Sequence, residues 1–169
     1  MPKLITIKSS REELIACVMQ SVDLFLAEAP GLMEFEVHEQ AISHRIALHL
    51  QQFTKSNVDC EYNKNLKGAK YLEVKKEIYK NCTCGACRRN PPEDGLKRRR
   101  FRPDIIVHKR GDESENLIAV EVKKTDFCHF DKAKLMALTD LSEDYKYKLG
   151  VFVHFPESKA KYHYYAERV

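Results

Sequence analysis

The order of patterns along the chain predicts a mixed β-sheet flanked by helices, an α/β or α+β domain. Two observations carry that expectation. Apolar residues recur at helical spacing up to about Phe53, whereas from Asp104 onward short β-branched runs alternate with polar turns and one further helical stretch. At 169 residues the chain has the length of one domain with a core of its own.

Taken in order, Ser10 and Glu13 form a capping box, and Leu14, Val18, Val22 and Phe25 follow at helical spacing until Ala29-Pro30-Gly31 stops the helix. A second helix is predicted from about Glu34 to Phe53, with Phe35, Ile42, Ile46, Leu50 and Phe53 as its apolar stripe. NVDCEY (57–62) has the pattern of a short strand. KYLEVKKEIYK (70–80) alternates at Leu72, Val74 and Ile78, as a strand does, and is also compatible with a helix. Residues 81–101 form a Cys-, Pro- and Arg-rich loop without periodicity. Strands Asp104–His108 and Leu117–Lys123 flank the polar turn KRGDESEN. A helix from roughly Asp131 to Leu141 and the strands LGVFVHF and KYHYYAE complete the chain. There is no internal repeat.

With 43% apolar and 32% charged residues, the composition is that of an ordinary soluble domain. No apolar run approaches the ~20 residues of a membrane span. The opening MPKLITIKSSREELIACVMQ lacks the order of a signal peptide. A cytoplasmic protein without a membrane partner is therefore expected, its six cysteines reduced or metal-bound rather than paired. The net charge of +4 conceals an asymmetry: residues 64–102 carry 13 Lys/Arg against four acids, a local charge of +9, which leaves −5 for the rest. A basic segment on an acidic body suits a polyanion, because phosphate contacts release counterions, although a solvated, mobile loop would have the same composition.

The stretch RPDIIVHKRGDESENLIAVEVKK places charges inside strand patterns. A hairpin centred between Asp112 and Glu113 pairs residues whose numbers sum to 225, so Asp104 stands opposite Glu121, on one face. Strand period adds Lys123 to that face and sends Val120 and Val122 to the other. Two neighbouring carboxylates repel unless a cation sits between them, and Mg²⁺ or Mn²⁺ is the hard ion they suit. Such an ion polarises a phosphoryl oxygen and acidifies a bound water, and a nearby Lys orients that water or stabilises developing charge. A surface salt-bridge cluster is the plainer alternative. Glu39 falls three residues before Ile42 and seven before Ile46, inside the apolar stripe, where a carboxylate is costly unless paired or metal-bound. A stripe-edge Glu reaching solvent is the alternative there.

In these features the chain resembles the PD-(D/E)XK nuclease superfamily, of restriction-endonuclease-like fold: Pro103-Asp104, a hairpin, Glu121-Val122-Lys123, and a helical acid in EFEVHEQAISHRIALHLQQF, over about residues 34–155. The resemblance implies that Asp104 and Glu121 bind the divalent metal, with the Val122 carbonyl and Glu39 contributing. It also implies that Lys123 activates or positions the attacking water. The insertion at about 63–100 departs from the family pattern.

NCTCGACRRN places Cys82, Cys84 and Cys87 within six residues, a density suited to Zn²⁺ or an iron–sulfur cluster. A fourth ligand must come from elsewhere, with Cys128, His129 and Cys60 as candidates. Cys17 lies in a helical pattern and is expected to pack as a small hydrophobe. The seven histidines form no HxH or HExxH motif, and Tyr162, Tyr164 and Tyr165 are sheet-packing residues or base-stacking ones. The expectation is a single-domain metal-dependent endonuclease acting on DNA, held to phosphates by Arg88, Arg89, Lys97, Arg98, Arg99, Arg100 and Arg102. A homodimer is compatible with the sequence. The rivals are a non-catalytic nucleic-acid-binding module on the same fold and an interaction protein organised around a zinc loop.

Overall fold

The computed structural model describes residues 4–165 except 36, 63, 66–67, 70, 76–80, 90–95, 101, 125–126, 143 and 157–158. It is a mixed α+β structure built on an open five-stranded sheet. Helix α1 (Arg11–Glu28) starts at the expected capping box: Ser10 accepts from the Glu13 N–H and Glu13 accepts from the Ser10 N–H. Then come the one-turn α2 (Gly31–Glu34), α3 (Glu39–Leu50) and a 3₁₀ turn (Gln51–Phe53).

The predicted second helix is thus two helices, α2 ending at Glu34 and α3 beginning at Glu39. Phe35 is 68% exposed, so no core rewards continuing the helix through it, and His38 is extended as the N-cap of α3.

The sheet runs in the order β1 (Asn57–Cys60), β6 (Ile105–His108), β7 (Ile118–Lys123), β8 (Leu149–His154), β9 (Lys161–Tyr165). Among the described strands of this sheet only β7 and β8 pair in parallel, and α5 (His129–Thr139) makes the crossover between them. Between β1 and β6 lie β2 (Lys64–Asn65), β3 (Gly68–Ala69), β4 (Tyr71–Lys75), α4 (Gly85–Arg89) and β5 (Leu96–Arg100). The strand reading of 70–80 holds for Tyr71–Lys75, while Ile78 lies outside the described residues. The stretch expected to be an irregular loop instead contains α4 and β5, and β5 pairs with β4, from Tyr71↔Arg100 to Lys75↔Leu96.

Both faces of the sheet are covered. Leu14, Val18, Val22 and Phe25 of α1 and Ile42, Ile46 and Leu50 of α3 pack on Val107, Val120, Val122, Val151 and their neighbours. On the other face Leu135 and Leu138 of α5 meet Ile106, Ala119 and Phe152. Two-sided burial explains why β7 is almost continuously apolar, and why a charge within it needs a partner. Cys17 is buried among the α1 residues, and Tyr162 and Tyr164 stack against that core, in line with sheet packing.

Gly150 sets how closely α5 sits on β8. A Cβ there would lie 3.2 Å from Thr139 Cγ2 and 3.3 Å from Leu135 Cβ. Gly150→Ala should therefore lower stability by about 1–3 kcal/mol in a denaturant titration, since α5 must be pushed off the sheet. At the opposite edge, Asp59 of β1 accepts from Arg110 and sits 2.8 Å from His108 Nε2. The Arg110 guanidinium, with His108, holds the Asp59 carboxyl below its usual range. A depressed carboxylate stabilises above its unfolded pKa of about 3.9, and that contribution is lost as pH falls through the folded value. Asp59→Asn should thus lower the thermal midpoint at pH 7, with the gap to wild type closing below about pH 4.

Candidate functional site

The hairpin register is the expected one: Ile105↔Val120, Ile106↔Ala119 and Val107↔Ile118. Asp104 is a bend residue just ahead of β6, and its Oδ2 accepts from the Val122 N–H at 2.7 Å. Glu121 is 1% exposed and turned toward α5, where Lys134 Nζ donates to its Oε2 at 2.7 Å. Lys123 Nζ donates to Glu39 Oε2 at 2.8 Å and lies 3.6 Å from Asp131 Oδ2.

Glu39 reaches this point because it is the first residue of α3. Helical side chains tilt toward the N-terminus, so it extends past the helix end rather than lying under it. Its other oxygen accepts from the Lys124 N–H at 3.1 Å. The side chain stays 38% exposed, so it is a rim residue and not the buried stripe position expected.

The four predicted residues thus come to one end of β7, and α5 adds two that sequence reasoning missed. Asp131 and Lys134 are both buried, with Lys134 Nζ 2.6 Å from Asp131 Oδ1. A signal for them existed. Asp131 stands seven residues and Lys134 four residues before the buried Leu138, charges on a helical stripe just as Glu39 was.

When all are ionised, Glu39, Asp104, Glu121 and Asp131 against Lys123 and Lys134 leave a formal charge of −2. Burial raises the pKa of Asp104, and raises that of Glu121 well above the carboxylate range despite Lys134. Lys134, though penalised by burial, is held charged by Glu121, Asp131 and Asp104. Asp131 is lowered: burial opposes its charge, but Lys134 and Lys123 together prevail. Two buried carboxylate oxygens, Glu121 Oε1 and Asp131 Oδ2, have no hydrogen-bond partner among the described residues. Orphaned carboxylate oxygens in a site two positive charges short of neutrality fit a hard divalent cation. A cleft of about 250 Å³, lined by Gln40, Ser43, Cys60 and Glu61, reaches the site at Asp104.

The cysteines form a second cluster. The sulfurs of Cys82, Cys84, Cys87 and Cys128 all lie within 4.8 Å of one another. Of the three candidates for fourth member, Cys128, the N-cap residue of α5, takes the place. Cys60 is exposed on β1, and His129 contributes its backbone N–H to Cys82 Sγ at 3.4 Å. The Cys87 N–H points at Cys84 Sγ at 3.5 Å. Burial opposes ionisation of Cys82, yet N–H groups and neighbouring thiols bring it down to about 7, while burial pushes Cys87 up to about 12. A tetrahedral ion about 2.3 Å from each sulfur would set the sulfurs about 3.8 Å apart, which this cluster accommodates. A four-iron cubane, whose thiolates bind separate corners, needs them wider.

Arg88 and Arg102 are exposed, Arg102 lying 3.7 Å from Glu61. Arg89, Lys97, Arg98, Arg99 and Arg100 are placed by their backbone, and their side chains fall outside the described set. No helix among the described residues is long and apolar enough to cross a membrane. In comparisons with family models, curated proteins and solved structures, the chain matches none.

Proposed function

We propose that this chain is a divalent-metal-dependent nuclease that hydrolyses phosphodiester bonds, with DNA as its substrate. The observation that carries the reading is the convergence of Asp104, Glu121, Lys123 and Glu39 at one end of β7, with a buried, unpartnered oxygen on Glu121. The element order α3-β1-β6-β7-α5-β8, with β7 and β8 parallel, supports a restriction-endonuclease-like core.

Asp104 and Glu121, with the Val122 carbonyl and Glu39, would hold Mg²⁺ or Mn²⁺. The ion supplies polarisation of a phosphoryl oxygen and a lowered pKa for a bound water. Lys123, fixed by Glu39 and Asp131, presents an ammonium to the water and to developing negative charge. The Val122 N–H fixes the Asp104 carboxylate. The paired strands β4 and β5, with Arg88 and Arg102, supply cations for the phosphate backbone.

The four-cysteine cluster is assigned to Zn²⁺. A site with four thiolates is closed, so the ion is structural and ties the insertion to α5. A non-catalytic binding module would share the basic segment but has no need of a buried acid–lysine cluster. The discriminating experiment incubates the protein with duplex, single-stranded and branched DNA and with RNA, each with Mg²⁺ or Mn²⁺. Metal-dependent cleavage is expected, and binding without cleavage of any of them would favour the binding module. Replacing Arg98, Arg99 and Arg100 together with Ala should weaken binding to all sequences alike and reduce the salt slope by roughly 0.9 for each phosphate no longer neutralised. Unchanged affinity and slope would leave that run a solvated strand.

A further inference from the structure

We infer that Lys134 is the resident counter-cation of the acidic site, and that a divalent ion binds there by displacing its ammonium from Glu121 and Asp131. This rests on the divalent-ion half of the nuclease reading and concerns a residue to which the sequence resemblance gives no role.

An ammonium is strongly hydrated, so its burial is sustained only by what it neutralises. The Lys134 side chain is 10% exposed, and its Nζ lies 2.7 Å from Glu121 and 2.6 Å from Asp131. Each of those carboxylates gives Lys134 one oxygen and keeps the other buried without a hydrogen bond, Glu121 Oε1 on its own and Asp131 Oδ2 3.6 Å from Lys123 Nζ. Glu121 is therefore half used, by a cation of single charge.

A divalent ion taking the orphaned oxygens would lie within one carboxylate's width of the ammonium. Like charges that close in a site shielded from water repel strongly. One of the two must leave. Lys123 also lies 3.6 Å from Asp131 Oδ2, but it is 25% exposed and keeps Glu39 at 2.8 Å, so it can give way toward the rim without losing its partner. Lys134 has a flexible four-carbon stem, and its Nζ already lies over the Phe130 ring, 5.8 Å from the centroid, a face along which it can withdraw from the acids. The consequence is a built-in threshold. The lysine offsets part of the acidic charge when divalent ions are scarce, and the site is occupied only where they outcompete it.

The test is a calorimetric titration of Mn²⁺ into the full chain, its cysteine centre saturated with Zn²⁺, for wild type, Lys134→Met, Lys134→Arg and Lys132→Met. Removing the charge in Lys134→Met should tighten Mn²⁺ binding at least tenfold. Lys134→Arg keeps the charge and should not tighten it, and Lys132→Met on the same helix should match wild type. Asp104→Asn, which should abolish wild-type binding, places the titrated ion in this site.

Equal affinity of wild type and Lys134→Met overturns the inference alone. Weaker binding by Lys134→Met also overturns it, making Lys134 a residue that positions Glu121. No Mn²⁺ binding by either protein removes the metal reading and this inference together. Because Lys134→Met strands two buried acids, thermal midpoints are measured with and without Mn²⁺. The variant should start lower and gain more from the ion than wild type does. A variant that stays unfolded at saturating Mn²⁺ counts against displacement.

Discussion

Mg²⁺-dependent cleavage should fall by a factor on the order of 10²–10³ or more in both Asp104→Asn and Lys123→Ala, while folding and DNA binding persist. The two substitutions act differently. Asp104→Asn keeps the side chain's size and its acceptor toward the Val122 N–H, and removes the charge that a metal requires. Lys123→Ala removes the ammonium held between Glu39 and Asp131, which leaves Glu39 beside solvent while the buried Asp131 keeps Lys134 at 2.6 Å. Neither change opens a large cavity, so thermal midpoints should move by only a few degrees. Asp104→Asn should also bind DNA more tightly without metal, because it deletes a negative charge facing phosphate. Cleavage at wild-type rates by both variants would locate the chemistry elsewhere.

Cys128→Ala should cost the protein one equivalent of bound zinc and much of its stability. Structural zinc sites contribute about 10–16 kcal/mol of apparent binding energy in zinc-finger peptides, against total domain stabilities of about 5–15 kcal/mol. Cys128 is the only cysteine of the four outside the insertion, and its loss would unfasten Cys82, Cys84 and Cys87 from α5. Metal content of the purified protein by mass spectrometry and the unfolding midpoint are the two readouts. Treating wild type with a chelator should reproduce the variant's midpoint, whereas a reductant should not. The second arm matters because Cys84 Sγ and Cys128 Sγ are 3.3 Å apart, close enough for oxidation to be considered. Wild-type protein purified without zinc, with a midpoint that a chelator leaves unchanged, would leave the cluster four reduced thiols.

The hairpin was the most legible part of the chain, because a polar turn between two apolar runs determines the register and strand period then assigns every face. Asp104, Glu121 and Lys123 follow from that geometry. Glu39 was legible as a misplaced charge, but its position was not. The apolar Phe35 extends the helical pattern upstream, and only tertiary packing reveals that nothing covers it. Asp131 and Lys134 were hidden because an acid and a lysine three apart on a helix form an ordinary solvated pair until the helix is known to lie face-down on Glu121. Cys128 could be named as a fourth cysteine but not chosen over Cys60 or His129, since the choice depends on where α5 begins. The strand β5 was obscured by its own composition: a Lys/Arg-rich run has low strand propensity, and it pairs here because β4 supplies a partner strand.

The pairing of β1 with β6, from Asn57↔His108 to Cys60↔Ile105, is one that a two-residue turn could join. Residues 61–104 stand in place of that turn. Loop closure depends only logarithmically on length, so doubling such a stretch costs the sheet about 0.6 kcal/mol. The edge of the sheet is thus an evolutionary entry point, tolerant of insertion and of drift in what is inserted. On the nuclease reading, heritable changes between 62 and 101 would redirect what the protein grips and leave the strands under the chemistry alone. Substrate choice and bond cleavage would then diversify on separate clocks, with the cysteines as the one seam where the two histories must agree.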